Sequence, residues 1–169
     1  MAVGRKKLFG DIAETVVLIR GAGEQASGVA HRLFRGGFKL CLTEIAEPLA
    51  VRREVCYCEA VYDGEKTVEG VTAQRISDPA DIDLLWRKGR IPLLVDPDNR
   101  IRETLQPQVV IDAILAKRNV GTAMTDAPLV IGLGPGFTAG KDVHIVIETN
   151  RGHDLGRLIF NGEAEPNTG

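Results

Sequence analysis

Residues 16–44 read VVLIRGAGEQASGVAHRLFRGGFKLCLTE, running from Val16 to Glu44. A short apolar run, Val16–Ile19, meets glycine at Gly21 and Gly23. Gln25–Arg35 follows with helical spacing, placing Val29, Leu33 and Phe34 on one face, and Gly36-Gly37 stops it. Phe38–Thr43 is a second apolar run, closed by Glu44. Strand, glycine turn, helix and strand in this order form a βαβ unit, whose loop can cradle a phosphate.

The details of that loop carry the chemistry. Gly21-Ala22-Gly23-Glu24-Gln25-Ala26 fits the pattern G-x-G-x-x-G/A between a strand and a helix. Gly21 permits the tight turn, Gly23 lets backbone amides approach a diphosphate, and Ala26 lets the helix lie close to the strand. Glu44 lies 21 positions after Gly23, at the end of the second strand, where a carboxylate accepts hydrogen bonds from ribose hydroxyls and repels a 2′-phosphate. The cofactor this implies is a dinucleotide, NAD in preference to NADP. Two residues depart from the usual pattern. Arg20 replaces an apolar residue, as a phosphate contact or a strand-end charge. Glu24 brings a carboxylate into the phosphate loop, where it also suits the helix dipole.

Outward from this unit, strands and helices continue to alternate. Extended runs are expected at Ile91–Val95, Val109–Asp112, Leu129–Leu133 and Val143–Glu148. Helices are expected at Pro79–Arg87, opened by Asp78-Pro79, and over Pro48–Glu54 and Ala113–Arg118. Glu59–Ile76 reads as two extended runs around the turn signals Asp63-Gly64 and Glu69-Gly70. The expectation is a Rossmann-like α/β fold, a mainly parallel sheet flanked by helices on both faces, with an extra β-hairpin region. The 169 residues suffice for one domain, with no internal composition shift. The tail, NGEAEPNTG, ends without a closing element, so residues 1–169 read as the N-terminal part of a longer protein.

Composition excludes several function classes. A net charge of −2 and an aromatic content of 5% give neither a broad nucleic-acid surface nor a base-stacking platform. No apolar run reaches membrane-spanning length, and Met1 to Asp11 lacks a secretory apolar core, so a cytoplasmic location is expected. Cys41, Cys56 and Cys58 are too few for a four-cysteine zinc site, and Cys56 and Cys58 read as strand cysteines facing one side. No metal site is expected.

A second cluster lies late in the chain. Gly132, Gly134, Gly136 and Gly140 follow a strand, too close to Val143 for a crossover helix. With Thr138, Gly134 and Gly136 can form a nest of N–H groups for an anion. Thr149-Asn150-Arg151-Gly152-His153-Asp154 is dense in functional groups, and Asn150 and Arg151 are second-site candidates. His153 is the one acid-base candidate, since His144 alternates with apolar strand residues and His31 lies on the first helix. No Ser-His-Asp order, nucleophile elbow or Walker loop is present.

Four blocks resemble one family: IRGAGEQASGVAHRLFRGGFKLCLTEIAEPLAVRREV, EAVYDGEKTVEGVTA, APLVIGLGPGFTAGKDVHIVIETNRGHDLGR and AEPNTG. It is the family of accessory proteins that mature selenium-dependent molybdenum hydroxylases, and the resemblance runs from Val16 to Gly169. It implies a Rossmann-like N-terminal region and a role in maturing hydroxylases of the xanthine dehydrogenase type. The partners it implies are the molybdenum hydroxylase or its cofactor-maturation proteins. A pterin dinucleotide would suit the same diphosphate loop as NAD. Glu24 departs from the expected Asp, and Cys56 and Cys58 stand in a stretch expected to be Ser- and Phe-like, so the cysteines take no part in a shared activity. An NAD-linked oxidoreductase using His153, or a non-catalytic NAD-sensing module, is the alternative reading.

Overall fold

Apolar runs without alternation belong between two layers of helix, because strands buried on both faces cannot show a polar side. Val16–Arg20 (β1), Lys39–Glu44 (β2), Ile91–Val95 (β5) and Val109–Asp112 (β6) are such runs, and almost every side chain in them is buried. The structure, a computed structural model, describes residues 11–166. Residues 1–10, on which the leader reading rests, and residues 167–169, which end the last resemblance block, lie outside it.

The remaining strands are Glu65–Val68 (β3), Val71–Ile76 (β4), Leu129–Leu133 (β7), Thr138–Ala139 (β8), Ile145–Ile147 (β9), Leu158–Ile159 (β10) and Gly162–Glu163 (β11). The helices are Glu24–Arg35 (α1), Ala60–Asp63 (α2), Ile82–Arg87 (α3) and Ile101–Leu105 (α4). Nine strands form one sheet in the order β10-β9-β7-β6-β1-β2-β5-β4-β3, and β8 and β11 form a separate antiparallel pair. All neighbours in the large sheet are parallel except the outermost pairs, β3 with β4 and β10 with β9. This is a Rossmann-like α/β fold.

The sheet separates two apolar layers. On one face Ala26 and Ala30 of α1 pack with Val17, Ile19, Leu40, Leu42 and Tyr57. On the other, Ile82 and Leu85 of α3 and Ile101 of α4 pack with Leu18, Cys41 and Val110. Alternate residues of one strand therefore serve opposite layers, as the pleat requires. Among the described residues no helix is long and apolar enough to cross a membrane.

Four local expectations are corrected. Pro48–Glu54 is not a helix: the chain runs irregularly to a 3₁₀ turn at Arg53–Val55. The segment before Gly64 is not extended: Tyr57–Glu59 is a 3₁₀ turn leading into α2, and the hairpin is β3–β4 around Glu69-Gly70. Cys56 and Cys58 are accordingly in this turn region rather than on a strand, and both are buried. Ala113–Arg118 is not helical: Leu115 and Lys117 are left-handed, with φ +58° and +59°, and cannot continue a right-handed helix. Gly136 (φ +109°) packs against the end of this segment, where a Cβ would come 2.5 Å from the Arg118 nitrogen.

Candidate functional site

The direction of winding reverses between β1 and β6. β1 leads outward to β2 and β5, while β6 leads the other way to β7 and β9. In open α/β sheets a ligand crevice forms at such a switch point, outside the carboxyl ends of the strands. A crevice of about 390 Å³ lies there. One wall is the loop after β1, with Gly21, Gly23, Glu24 and Gln25; another is Glu44, Ile45, Pro48, Leu49 and Ala50 after β2. The third is Ala113 to Ala116, after β6. Its size falls in the range of small-molecule sites.

The loop is built as its residue types require. Gly21 has φ +97°, and a Cβ there would come 3.1 Å from the Ala113 carbonyl oxygen, so only glycine sits there without strain. Its N–H donates to the Thr43 carbonyl at 2.8 Å. Ala26 is fully buried, which lets α1 approach the sheet. Gly23 precedes α1, and no side chain caps the helix N-terminus. Glu44 supports the loop: Oε2 accepts from the Ala22 N–H and Oε1 from the Ile45 N–H, each at 2.8 Å. A carboxylate oxygen has two lone-pair directions, so each can still accept a further hydrogen bond. Gly21, Gly23 and Glu44 thus line one crevice, and Ala26 lies below it.

Arg20 does not line this crevice but a smaller pocket of about 80 Å³ that shares Gly21, Glu44, Ile45 and Ile114 with it. The Arg20 side chain is buried, with Nη1 3.4 Å from Asp112 Oδ2 and Nη2 donating to the Val120 carbonyl at 3.3 Å. Thr122 accepts from Arg20 and donates to Asp112 Oδ2 at 2.5 Å. Arg20 and Asp112 are register partners on β1 and β6, so the pair clamps the two strands at the switch point. Asn119 Oδ1 accepts from the N–H groups of Gly121 and Thr122 at 2.9 and 2.8 Å, which folds the connecting loop onto the pair.

The cysteine segment also supports the loop. The Cys58 N–H donates to the Ala22 carbonyl at 2.9 Å, and the Tyr57 N–H to Ser27 Oγ at 2.8 Å. Ser27 Oγ in turn donates to the Ala22 carbonyl at 2.9 Å. Burial pushes the Cys58 thiol up to about 12 and also raises Cys56, so both stay protonated near neutrality. Among the described residues no cluster of three or more His, Cys, Asp or Glu side chains could hold a metal ion.

The late cluster is organised separately. Gly134 abuts Leu115 of the crevice wall and Thr149, since a Cβ on it would come 3.3 and 2.5 Å from their side chains. Gly136 lies against Lys117 and Arg118. The Thr138 N–H donates to Asp142 at 2.9 Å, and its hydroxyl to Glu163 at 2.8 Å. The Asn150 amide donates to Glu165 at 2.8 Å. Arg151 and His153 are exposed and, like Thr138 and Asn150, do not line the crevice.

The organiser of this region is Glu148, which sequence reading passed over as the end of a strand. Its side chain is buried and accepts the N–H groups of Thr149, Asn150 and Glu165, each at 2.8 Å. Burial pushes its carboxyl up, but the three donors outweigh this and hold it below the usual range. His144 is likewise structural, its Nδ1 accepting the Val130 N–H at 3.0 Å.

Fold and crevice define a Rossmann-like α/β protein with a glycine-loop site at its switch point. Over 154 residues, 91% of the chain, it is 53% identical to the Escherichia coli (strain K12) protein named "Uncharacterized protein YqeB". The match covers 28% of that relative, so the chain spans less than a third of its length. No family model matches the chain, and no solved structure does.

Proposed function

We propose that the protein is an accessory factor in the maturation of selenium-dependent molybdenum hydroxylases, and that its crevice binds the nucleotide part of a cofactor. The ligand is NAD or a pterin dinucleotide. The pathway rests on the resemblance of the four sequence blocks. The binding reading is carried by one observation: Gly21, Gly23 and Glu44 line a single crevice at the switch point. Ribose hydroxyls would meet Glu44, and the diphosphate would run past Gly23 toward the uncapped N-terminus of α1. The partners are the hydroxylase or its cofactor-maturation proteins, and the site is in the cytoplasm. Among the described residues no acid-base group lines the crevice beyond its two glutamates, which favours a binding role over an oxidoreductase using His153.

Calorimetric titration with NAD, NADP and a pterin dinucleotide tests the binding reading. Saturable binding of a dinucleotide, lost on Gly23→Val, supports it. Absence of binding by all three in a folded protein overturns it. Failure of a deletion strain to produce active selenium-dependent hydroxylase, restored by the gene, tests the pathway.

A further inference from the structure

The crevice carries charge of one sign. Among the described residues its walls include two carboxylates, Glu24 and Glu44, and no lysine, arginine or histidine. The carboxylate of Glu44 is oriented by the Ala22 and Ile45 N–H groups, as a ribose acceptor would be. Glu24 has a different position. It is the first residue of α1, immediately after Gly23, at the helix end that a diphosphate would approach. Its Oε1 accepts the Arg52 N–H at 3.0 Å, which ties the end of the Pro48–Ala50 wall to α1. That bond holds the Glu24 carboxyl below the usual range, so it is ionised near neutrality.

The described arginines nearest the crevice do not line it. The Arg52 guanidinium acts on Glu24 from outside the lining. Arg20 is paired with Asp112 and lines the smaller adjoining pocket, not the crevice itself. Arg118 continues beyond the Ala113–Ala116 wall without lining the crevice. A diphosphate entering here meets a fixed carboxylate and, among the described residues, no guanidinium or ammonium group on the walls.

We propose that Glu24 is a charge filter that sets the ligand class of this crevice: it weakens ligands carrying a diphosphate on the ribose, leaves nucleosides with an uncharged group at that position unaffected and favours those with a cationic one. The proposal rests on the reading that the crevice takes a ribose-bearing ligand, and it narrows that reading. Dinucleotides are accepted at a penalty, and a nucleoside with a neutral or positive substituent on its 5′ carbon is the better match.

The test is calorimetry with adenosine, ADP and NAD on the wild type, Glu24→Gln and Gln25→Glu. Glutamine keeps a carbonyl acceptor for the Arg52 N–H, so the wall stays tied while the charge is removed. Glu24→Gln should tighten ADP and NAD roughly tenfold, the Coulomb repulsion of a carboxylate and a doubly charged group a few ångströms apart in a water-like medium. Adenosine should bind both proteins equally, and the tenfold gap should shrink as salt is added. Gln25 also lines the crevice and is exposed, so Gln25→Glu should weaken ADP and NAD without touching adenosine. Equal ADP and NAD affinities in wild type and Glu24→Gln overturn the filter. So does equal tightening of adenosine, which would show an effect of shape rather than charge. If no ligand binds any of the three folded proteins, the crevice reading itself fails and the filter with it.

Discussion

Two glycines two residues apart should respond oppositely to substitution. Gly21 has φ +97° and backbone atoms of Ala113 and Ile114 within 3.1–3.3 Å of any Cβ. Gly23 has φ −70°, and a Cβ there meets nothing within 4 Å. Gly21→Ala therefore forces a sparsely populated conformation and a backbone shift, at a cost of about 1–3 kcal/mol. In a chain of this size that lowers the melting temperature by roughly 2–12 °C. Gly23→Val loses only the better helix N-cap residue, a cost of no more than about 1 kcal/mol. Its melting temperature should fall by no more than about 4 °C. Binding should respond in the other sense. The isopropyl group of Gly23→Val occupies open space facing the proposed diphosphate path, and should weaken NAD by about 100-fold or more, equivalent to about 2.7 kcal/mol. Thermal melts and calorimetry on both variants read the two effects independently. Equal destabilisation by the two substitutions would refute the open-space reading of Gly23. Wild-type NAD affinity in Gly23→Val would show that the ligand does not pass this loop.

Three further outcomes are expected. NAD should bind more tightly than NADP, and Glu44→Gln, which keeps one acceptor for the loop amides, should narrow the preference; tighter NADP in the wild type refutes the ribose assignment of Glu44. Arg20→Leu should lower stability in urea melts by about 3–5 kcal/mol, because it strips the cation from buried Asp112, and adding Asp112→Leu should recover most of the loss; additive losses in the double variant would show that the two do not act as a pair. The folded Glu148 carboxyl titrates below its ordinary value of 4.5, so its contribution is present above that pH and is lost as the pH falls through the folded value; Glu148→Gln should flatten the acid limb of stability against pH, and an unchanged limb would contradict it.

Local patterns determined much of this protein. A continuous apolar run declares a strand buried on both faces, and helical spacing with a closing Gly-Gly declares α1, because each signal lies within a dozen residues and reports burial directly. The glycine loop and Glu44 were legible for the same reason: a positive φ and a strand-end carboxylate are demands on residue type. Only the tertiary structure decided what depends on distant neighbours. Arg20 became a buried clamp because Asp112, 92 positions away, is its register partner. Residues 57–63 turned helical where the Tyr57 and Cys58 N–H groups reach Ser27 and Ala22, and no periodicity in the segment announces that anchoring. Ala113–Arg118 has helix-forming composition, yet Leu115 and Lys117 adopt left-handed backbone where the segment packs against Gly136. Glu148 looked like a strand end until three amides from two segments converged on it. Hydrogen bonds and close contacts between remote segments outweigh local propensity, which amounts to only a few tenths of a kcal/mol per residue, and a single sequence does not show which segments will meet.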